Sequence, residues 1–208
     1  MITEASILPL QDFYLVDGHK ISAAVLNEEP LIVKFDNVVT EEECVQLIQL
    51  ANNRLQRSKL ANKAISEIRT SSGMFFEENE NPFIAQIEQR IASLMHIPIN
   101  HAEGLQILHY SPGQQFKAHF DYFSVDYPSS TNNRISTLVI YLNEVEEGGE
   151  TTFPALNISV KPKQGAAVYF EYFYQDDQIN EKTLHSGEPV IRGEKWVATQ
   201  WMRKQVFR

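Results

Sequence analysis

The chain has 208 residues, a formal charge of −9, and 43% hydrophobic and 11% aromatic side chains, enough for one domain with a substantial apolar core. The acidic balance and the lack of a dense Lys/Arg run argue against a nucleic-acid partner. No run of about eighteen apolar residues, no basic start leading into an apolar segment and a single cysteine, Cys44, give the expectation of a cytoplasmic protein with no membrane attachment and no intramolecular disulfide.

Residues 1–30 mix short apolar runs with Asp17-Gly18 and predict an N-terminal arm or early hairpin that belongs to the same unit as a domain over 31–208. Residues 31–35 read as a strand. Thr40-Glu41-Glu42-Glu43 forms a capping box, and Cys44, Leu47, Ile48, Ala51 and Leu55 recur behind it at helical spacing. Residues 56–80 are polar and too long for a simple connection, which suggests a lid or a partly structured loop. Asn81-Pro82 opens a second helix whose apolar face is Ile84, Ile87, Ile91, Leu94 and Met95. From Leu105 onward, short β-branched and aromatic runs alternate with Pro and Gly turns. Strands are expected over 105–110, 116–123, 135–142, 151–153, 157–160, 166–173, 183–185 and 195–202. The fold class is mainly β with flanking helices, a sandwich or jelly roll braced by two N-terminal helices.

Six histidines occur, and His19, His96, His101 and His109 carry no pattern that points to chemistry. His119 does, because Asp121 follows it. Alternate side chains of an extended strand share a face, so these two can reach one metal while Phe120 points away. With His185, beside Ser186-Gly187, they supply two imidazoles and a carboxylate. That set fills one face of an octahedron and suits non-haem ferrous iron, leaving positions for a co-substrate and dioxygen. Asp121 sits among Phe120, Tyr122 and Phe123, where a bare charge is costly and a cation would compensate it. Lys195 shares a strand face with Val197, Thr199 and Trp201. Its ammonium either snorkels at a strand edge or pairs with a carboxylate deep in a barrel; its place shortly after His185 favours the second reading.

These residues resemble the iron(II) and 2-oxoglutarate-dependent dioxygenases, and among them the prolyl 4-hydroxylase catalytic domain of the small single-domain bacterial type. The likeness covers roughly 35–203 and includes Arg69-Thr70-Ser71-Ser72-Gly73, Tyr110-Ser111-Pro112-Gly113-Gln114, His119-Phe120-Asp121, Asn133-Arg134-Ile135-Ser136-Thr137, Tyr141-Leu142-Asn143, Glu147-Gly148-Gly149-Glu150-Thr151, Leu184-His185 and Gly193-Glu194-Lys195-Trp196. The resemblance implies a double-stranded β-helix, a cupin-like jelly roll. It also implies that His119, Asp121 and His185 hold Fe(2+), that Lys195 binds the distal carboxylate of 2-oxoglutarate, that Tyr110 and Thr151 help hold this co-substrate, that Trp201 lines the same pocket, and that Arg134 lies near a peptide substrate.

Lysine at 195, where related nucleic-acid demethylases often carry arginine, favours the prolyl and lysyl hydroxylase branch. A carboxylate at 121 favours hydroxylation over halogenation. The implied reaction consumes 2-oxoglutarate and O2, with L-ascorbate rescuing oxidised iron, and acts on a proline-containing peptide or protein; a homodimer is an open option. The loops 56–80 and 124–133 are long and polar enough to close over such a peptide. One departure is Phe116, which stands three residues before the first ligand where the family commonly has tyrosine, so a hydroxyl is missing there. The rival readings are a hydroxylase of a free amino acid or lysyl residue, and a cupin module that binds metal without turnover.

Overall fold

Two α-helices and fifteen strands organise the described residues, 5–59, 65–124, 126–172 and 180–208, of this computed structural model. β1 (Phe13–Val16) and β2 (His19–Glu28) form a hairpin. Asp17 and Gly18 turn it with φ of 51° and 77°, the two left-handed residues that a type I′ turn needs to match strand twist. After β3 (Leu31–Asp36), helix α1 (Glu41–Asn52) starts at the capping box: Thr40 Oγ1 accepts from Glu43 N at 3.2 Å, and Glu43 Oε2 accepts from Thr40 N at 2.8 Å. β4 (Gln56–Arg57) and β5 (Ser72–Phe75) precede α2 (Pro82–Leu94), whose cap Asn81 accepts from Ile84 N at 3.0 Å.

The remaining strands are β6 (Gln106–Tyr110), β7 (Phe116–His119), β8 (Arg134–Tyr141), β9 (Glu147–Gly148), β10 (Thr151–Phe153), β11 (Ile158–Val160), β12 (Ala167–Glu171), β13 (His185–Gly187), β14 (Val190–Arg192) and β15 (Lys195–Arg203). A major sheet runs β1-β2-β3-β12-β8-β15-β6-β5-β4, a minor sheet runs β11-β10-β13-β7, and β9 pairs with β14. The pairings described are antiparallel. This is the jelly roll expected from the strand pattern. At the β9–β14 ladder a Cβ on Gly148, whose φ is +81°, would stand 2.3 Å from Pro189 O, so only glycine fits.

All nine residues of β15 are buried because each face of the strand is covered. Trp196, Ala198 and Met202 share a core with Leu47 of α1 and Ile84, Ile87 and Ile91 of α2. Val197 belongs to a second core with Leu108, Tyr141, Phe153 and Phe170. The helices therefore brace the outer face of the major sheet, and the inner face is left to build a site. Truncating Ile87, fully buried, to alanine would cost about 2–5 kcal/mol by opening a cavity under that brace.

Several local expectations change. The strand expected over 116–123 stops at His119, and Asp121 lies in a bend beyond it. Helix α1 ends at Asn52, leaving Leu55 outside it. The segment 56–80 contributes two strands to the sheet edge, fastened by Ser58 N to Ser71 O at 2.9 Å; residues 60–64 within it lie outside the described residues. Glu181–Thr183 form a 3₁₀ turn, and the strand begins at His185. The strand expected over 166–173 is Ala167–Glu171, with Phe173 outside the described residues. In the loop 124–133, residue 125 is likewise outside them, and Pro128–Asn132 form a 3₁₀ turn. Residues 1–4 of the expected N-terminal arm are also outside. Among the described residues no helix is long and apolar enough to cross a membrane.

Candidate active site

The register of the minor sheet makes His185 the direct cross-strand partner of His119, and their ring centroids lie 4.3 Å apart. His119 Nδ1 is 2.8 Å from Lys117 O, and His185 Nδ1 is 2.9 Å from Thr183 O. A carbonyl can only accept, so both Nδ1 atoms carry a proton, and in the neutral imidazole that leaves Nε2 as the nitrogen with the lone pair a metal needs. Burial first, and then His119, push the His185 pKa down to about 4, while Asp121 opposes them. Its imidazole is neutral at neutral pH.

Asp121 completes the group. Its Oδ1 is 3.4 Å from His119 Nε2 and its Oδ2 is 3.7 Å from His185 Nε2. One ligand atom from each of the three residues falls within 4.8 Å of the others. Oδ2 accepts from Thr137 Oγ1 at 2.9 Å, Tyr172 Oη at 3.0 Å and Trp201 Nε1 at 2.8 Å, whereas Oδ1, turned toward His119, takes no hydrogen bond from the described residues and is the oxygen available to a metal. Burial works against the charge on Asp121, yet His185 and His119, in the protonated forms they take in acid, together with Arg134 outweigh it and hold the group well below the usual carboxylate range. Two bare imidazole nitrogens and a fixed carboxylate oxygen converging in a desolvated pocket fit a ferrous ion.

An inner pocket adjoins the triad, lined by Leu108, Tyr110, Val139, Thr151, Lys195 and Thr199 among others. Lys195 is 4% exposed. Its Nζ lies 5.5 Å from the Tyr110 ring centre and 5.8 Å from that of Tyr141. Burial lowers its pKa to about 8, while Glu150 and Glu188 pull it upward from a distance. The described residues place no carboxylate in an ion pair with it. Thr151 Oγ1 accepts from Tyr141 Oη at 2.9 Å, and Tyr110, buried, lines the same pocket. The alternation predicted for residues 195–201 holds: Lys195, Val197, Thr199 and Trp201 all line this pocket.

On the other side of the triad an outer cavity of about 790 Å³ opens between the β4–β5 edge and the segment after β7. Phe116 stacks on His119 with centroids 3.4 Å apart and planes 12° from parallel, and the Arg69 guanidinium lies 4.8 Å from the same phenyl ring. Arg134 faces this cavity. Its Nε and Nη2 engage the Glu103 carboxylate at 2.6 and 2.9 Å, and its guanidinium lies 3.9 Å from the Trp201 ring centre. The structure thus gives Arg134 a bracing position behind Trp201 and Asp121.

The structure brings His119, Asp121, His185, Tyr110, Thr151, Lys195, Trp201 and Arg134 around one centre. The sequence motifs include Arg69, Thr137 and Tyr141 without giving them a role, and they omit Glu103 and Tyr172. Alternation along β8 carried a signal for two of them, since Thr137, Val139 and Tyr141 share one strand face. Tyr172, just past the end of β12, carried none.

The sequence model of the 2OG-Fe(II) oxygenase superfamily matches residues 105–203. Among curated proteins, probable prolyl 4-hydroxylase 10 of Arabidopsis thaliana is 37% identical over 209 residues, spanning 88% of this chain and 72% of that protein. Probable prolyl 4-hydroxylase 3 of the same plant is 38% identical, over 86% of this chain and 71% of its own length. Among solved structures, the viral collagen prolyl hydroxylase of Paramecium Bursaria Chlorella virus-1, in its 2OG complex, aligns with a TM-score of 0.69 at 31% identity, covering 83% of this chain and 95% of that one. A Pseudomonas putida prolyl-4-hydroxylase shares the fold, with a TM-score of 0.60 at 18% identity over 83% of this chain and 92% of its own.

Proposed function

From the premise that the chain belongs to the 2OG-Fe(II) oxygenase superfamily and to its prolyl 4-hydroxylase family, we propose that it hydroxylates prolyl residues of a peptide or protein, with iron(II) held by His119, Asp121 and His185 and 2-oxoglutarate held from Lys195. The observation that carries this reading is the meeting of two compartments at one triad. The inner is small, buried and ends on an ammonium; the outer is open, aromatic and, at about 790 Å³, far larger than one amino acid. A free proline would leave most of it empty, which supports a peptide.

When bound, iron(II) supplies dioxygen activation coupled to decarboxylation of 2-oxoglutarate and delivery of one oxygen atom to the prolyl ring. The chain's own residues bind, orient and exclude water. Backbone carbonyls at Lys117 and Thr183 hold the imidazoles in the ligating tautomer. Thr137, Tyr172 and Trp201 fix the carboxylate of Asp121. Lys195 neutralises the distal carboxylate of the co-substrate, the hydroxyls of Tyr110 and Thr151 offer it hydrogen bonds, and Leu108, Val139 and Val197 keep its methylenes dry. Phe116 and Trp201, which border both compartments, give the pyrrolidine ring apolar walls, and Arg134, anchored on Glu103, keeps Trp201 in place.

The test is purified protein supplied with iron(II), 2-oxoglutarate and a panel of proline-containing peptides. Succinate should form together with a peptide carrying one added oxygen on a prolyl ring, and His119→Ala should yield neither above background. Modification of free proline alone would overturn the peptide reading.

A further inference from the structure

The outer groove is cationic on a chain whose net charge is −9. Among the described residues its walls carry four cations, Arg57, Lys59, Arg69 and Arg134, against one anion, Asp121. That anion is spoken for by its donors and by the metal it is placed to bind. Arg134 is matched by Glu103. The other three cations are not matched to the same degree. Arg69 is 8% exposed, its Nη2 donates to the neutral amide oxygen of Gln106 at 2.9 Å, and its Nε has no hydrogen-bond partner among the described residues. Arg57 donates to the backbone carbonyls of Arg69 and Ser71 at 2.7 and 3.1 Å. Its acid, Glu67, is 3.9 Å away with a 90% exposed side chain, an arrangement that contributes little. Lys59 is exposed at the same rim.

We propose that the favoured substrate carries acidic side chains flanking the target proline, received by Arg57 and Lys59 at the β4–β5 rim, with Arg69 deeper in the groove. This rests on the reading of the groove as a prolyl-peptide site. The opposing effect is repulsion of an acidic peptide by the chain's overall negative charge. At physiological ionic strength that repulsion is screened beyond about 8 Å, whereas cations lining a low-dielectric cleft act at contact distance and focus the field there. The local term wins. Phe75 and Phe116, which line the same groove, supply part of that apolar wall.

The test uses one proline core with flanking Glu, Gln or Lys residues, comparing kcat/KM and, separately, equilibrium binding to the iron-loaded enzyme with 2-oxoglutarate under nitrogen. The Glu peptide should exceed the Lys peptide by about tenfold or more at low salt. The gap should appear mainly in KM and shrink at high salt. Arg57→Gln with Lys59→Gln should collapse the Glu-to-Gln ratio, and Lys59→Glu alone, a surface change, should lower it in part. Equal hydroxylation of the three peptides, or a Lys preference, would overturn the charge proposal while leaving prolyl hydroxylation standing. Selective binding of the Glu peptide with no hydroxylation of any would support the charge proposal and overturn the reading of the reaction.

Discussion

The inner pocket and the outer groove meet at the same three ligands, and they differ in how their charge is held. Inside, one ammonium, Lys195, is 4% exposed and surrounded by Tyr110, Tyr141 and aliphatic walls. Outside, several cations and aromatic rings spread over a cavity of about 790 Å³. A single desolvated charge at the end of a narrow pocket selects one small anion in one orientation. Distributed charge on an open surface selects a class of chains and tolerates variation. The contrast assigns the invariant part of the chemistry to the inside and the choice of substrate to the outside.

The largest effect should come from breaking the junction itself. Asp121→Ala removes a ligand and leaves Thr137, Tyr172 and Trp201 without their common acceptor; hydroxylation should fall to background and iron(II) binding, followed by calorimetry, should be lost. Next comes the inner pocket. Lys195→Met should raise the KM for 2-oxoglutarate about a hundredfold or more, the scale of losing one partner of a buried charged contact, while leaving the affinity for the outer peptide much less affected.

The same change also alters stability. The folded pKa of Lys195, about 8, lies below its ordinary 10.5, so the folded state disfavours the charged form. That cost, on the order of 3 kcal/mol, is fully present below pH 8 and fades as the pH rises toward 10.5. Lys195→Met should therefore raise the melting temperature of the ligand-free protein, most clearly below pH 8. For the unaltered protein, 2-oxoglutarate affinity should decline above pH 8 and binding there should take up a proton, readable by calorimetry in buffers of different ionisation heat.

Smaller effects belong to the supports. Tyr172→Phe deletes one of three donors to Asp121 Oδ2 and should weaken iron(II) about 10–100-fold, as outer partners of metal ligands do. Phe116→Leu removes the ring stacked on His119, an interaction of about 0.5–1.5 kcal/mol, and should weaken iron(II) only several-fold, with a larger change in peptide KM than in 2-oxoglutarate KM.

The legible parts of the site share a physical cause. Lys195, Val197, Thr199 and Trp201 lie on a long regular strand, where the pleat alone fixes which side chains share a face, so alternation named a pocket wall correctly. Thr40 and Asn81 start helices through hydrogen bonds to backbone three residues away, which are local and therefore readable. Asp121 was found for a reason that the structure replaces: it follows the end of β7 in a bend, and long-range donors from Thr137, Tyr172 and Trp201 aim it. Residues 56–80 read as a polar loop because β4 at the sheet edge and β5 beside it are short, with little apolar periodicity to reveal them.

Residue chemistry and backbone repeats of two or 3.6 are enough to specify the ligand types, the jelly-roll strand rhythm, the two capped helices and the face of β15 that carries Lys195. Only the folded arrangement sets His185 opposite His119, gives three hydrogen-bond donors to one oxygen of Asp121 and turns the other toward His119, ties Arg134 to Glu103, and gathers Arg57, Lys59 and Arg69 at one groove. Those outcomes rest on strand order and on contacts between residues far apart in the chain, and neither is written in any local window.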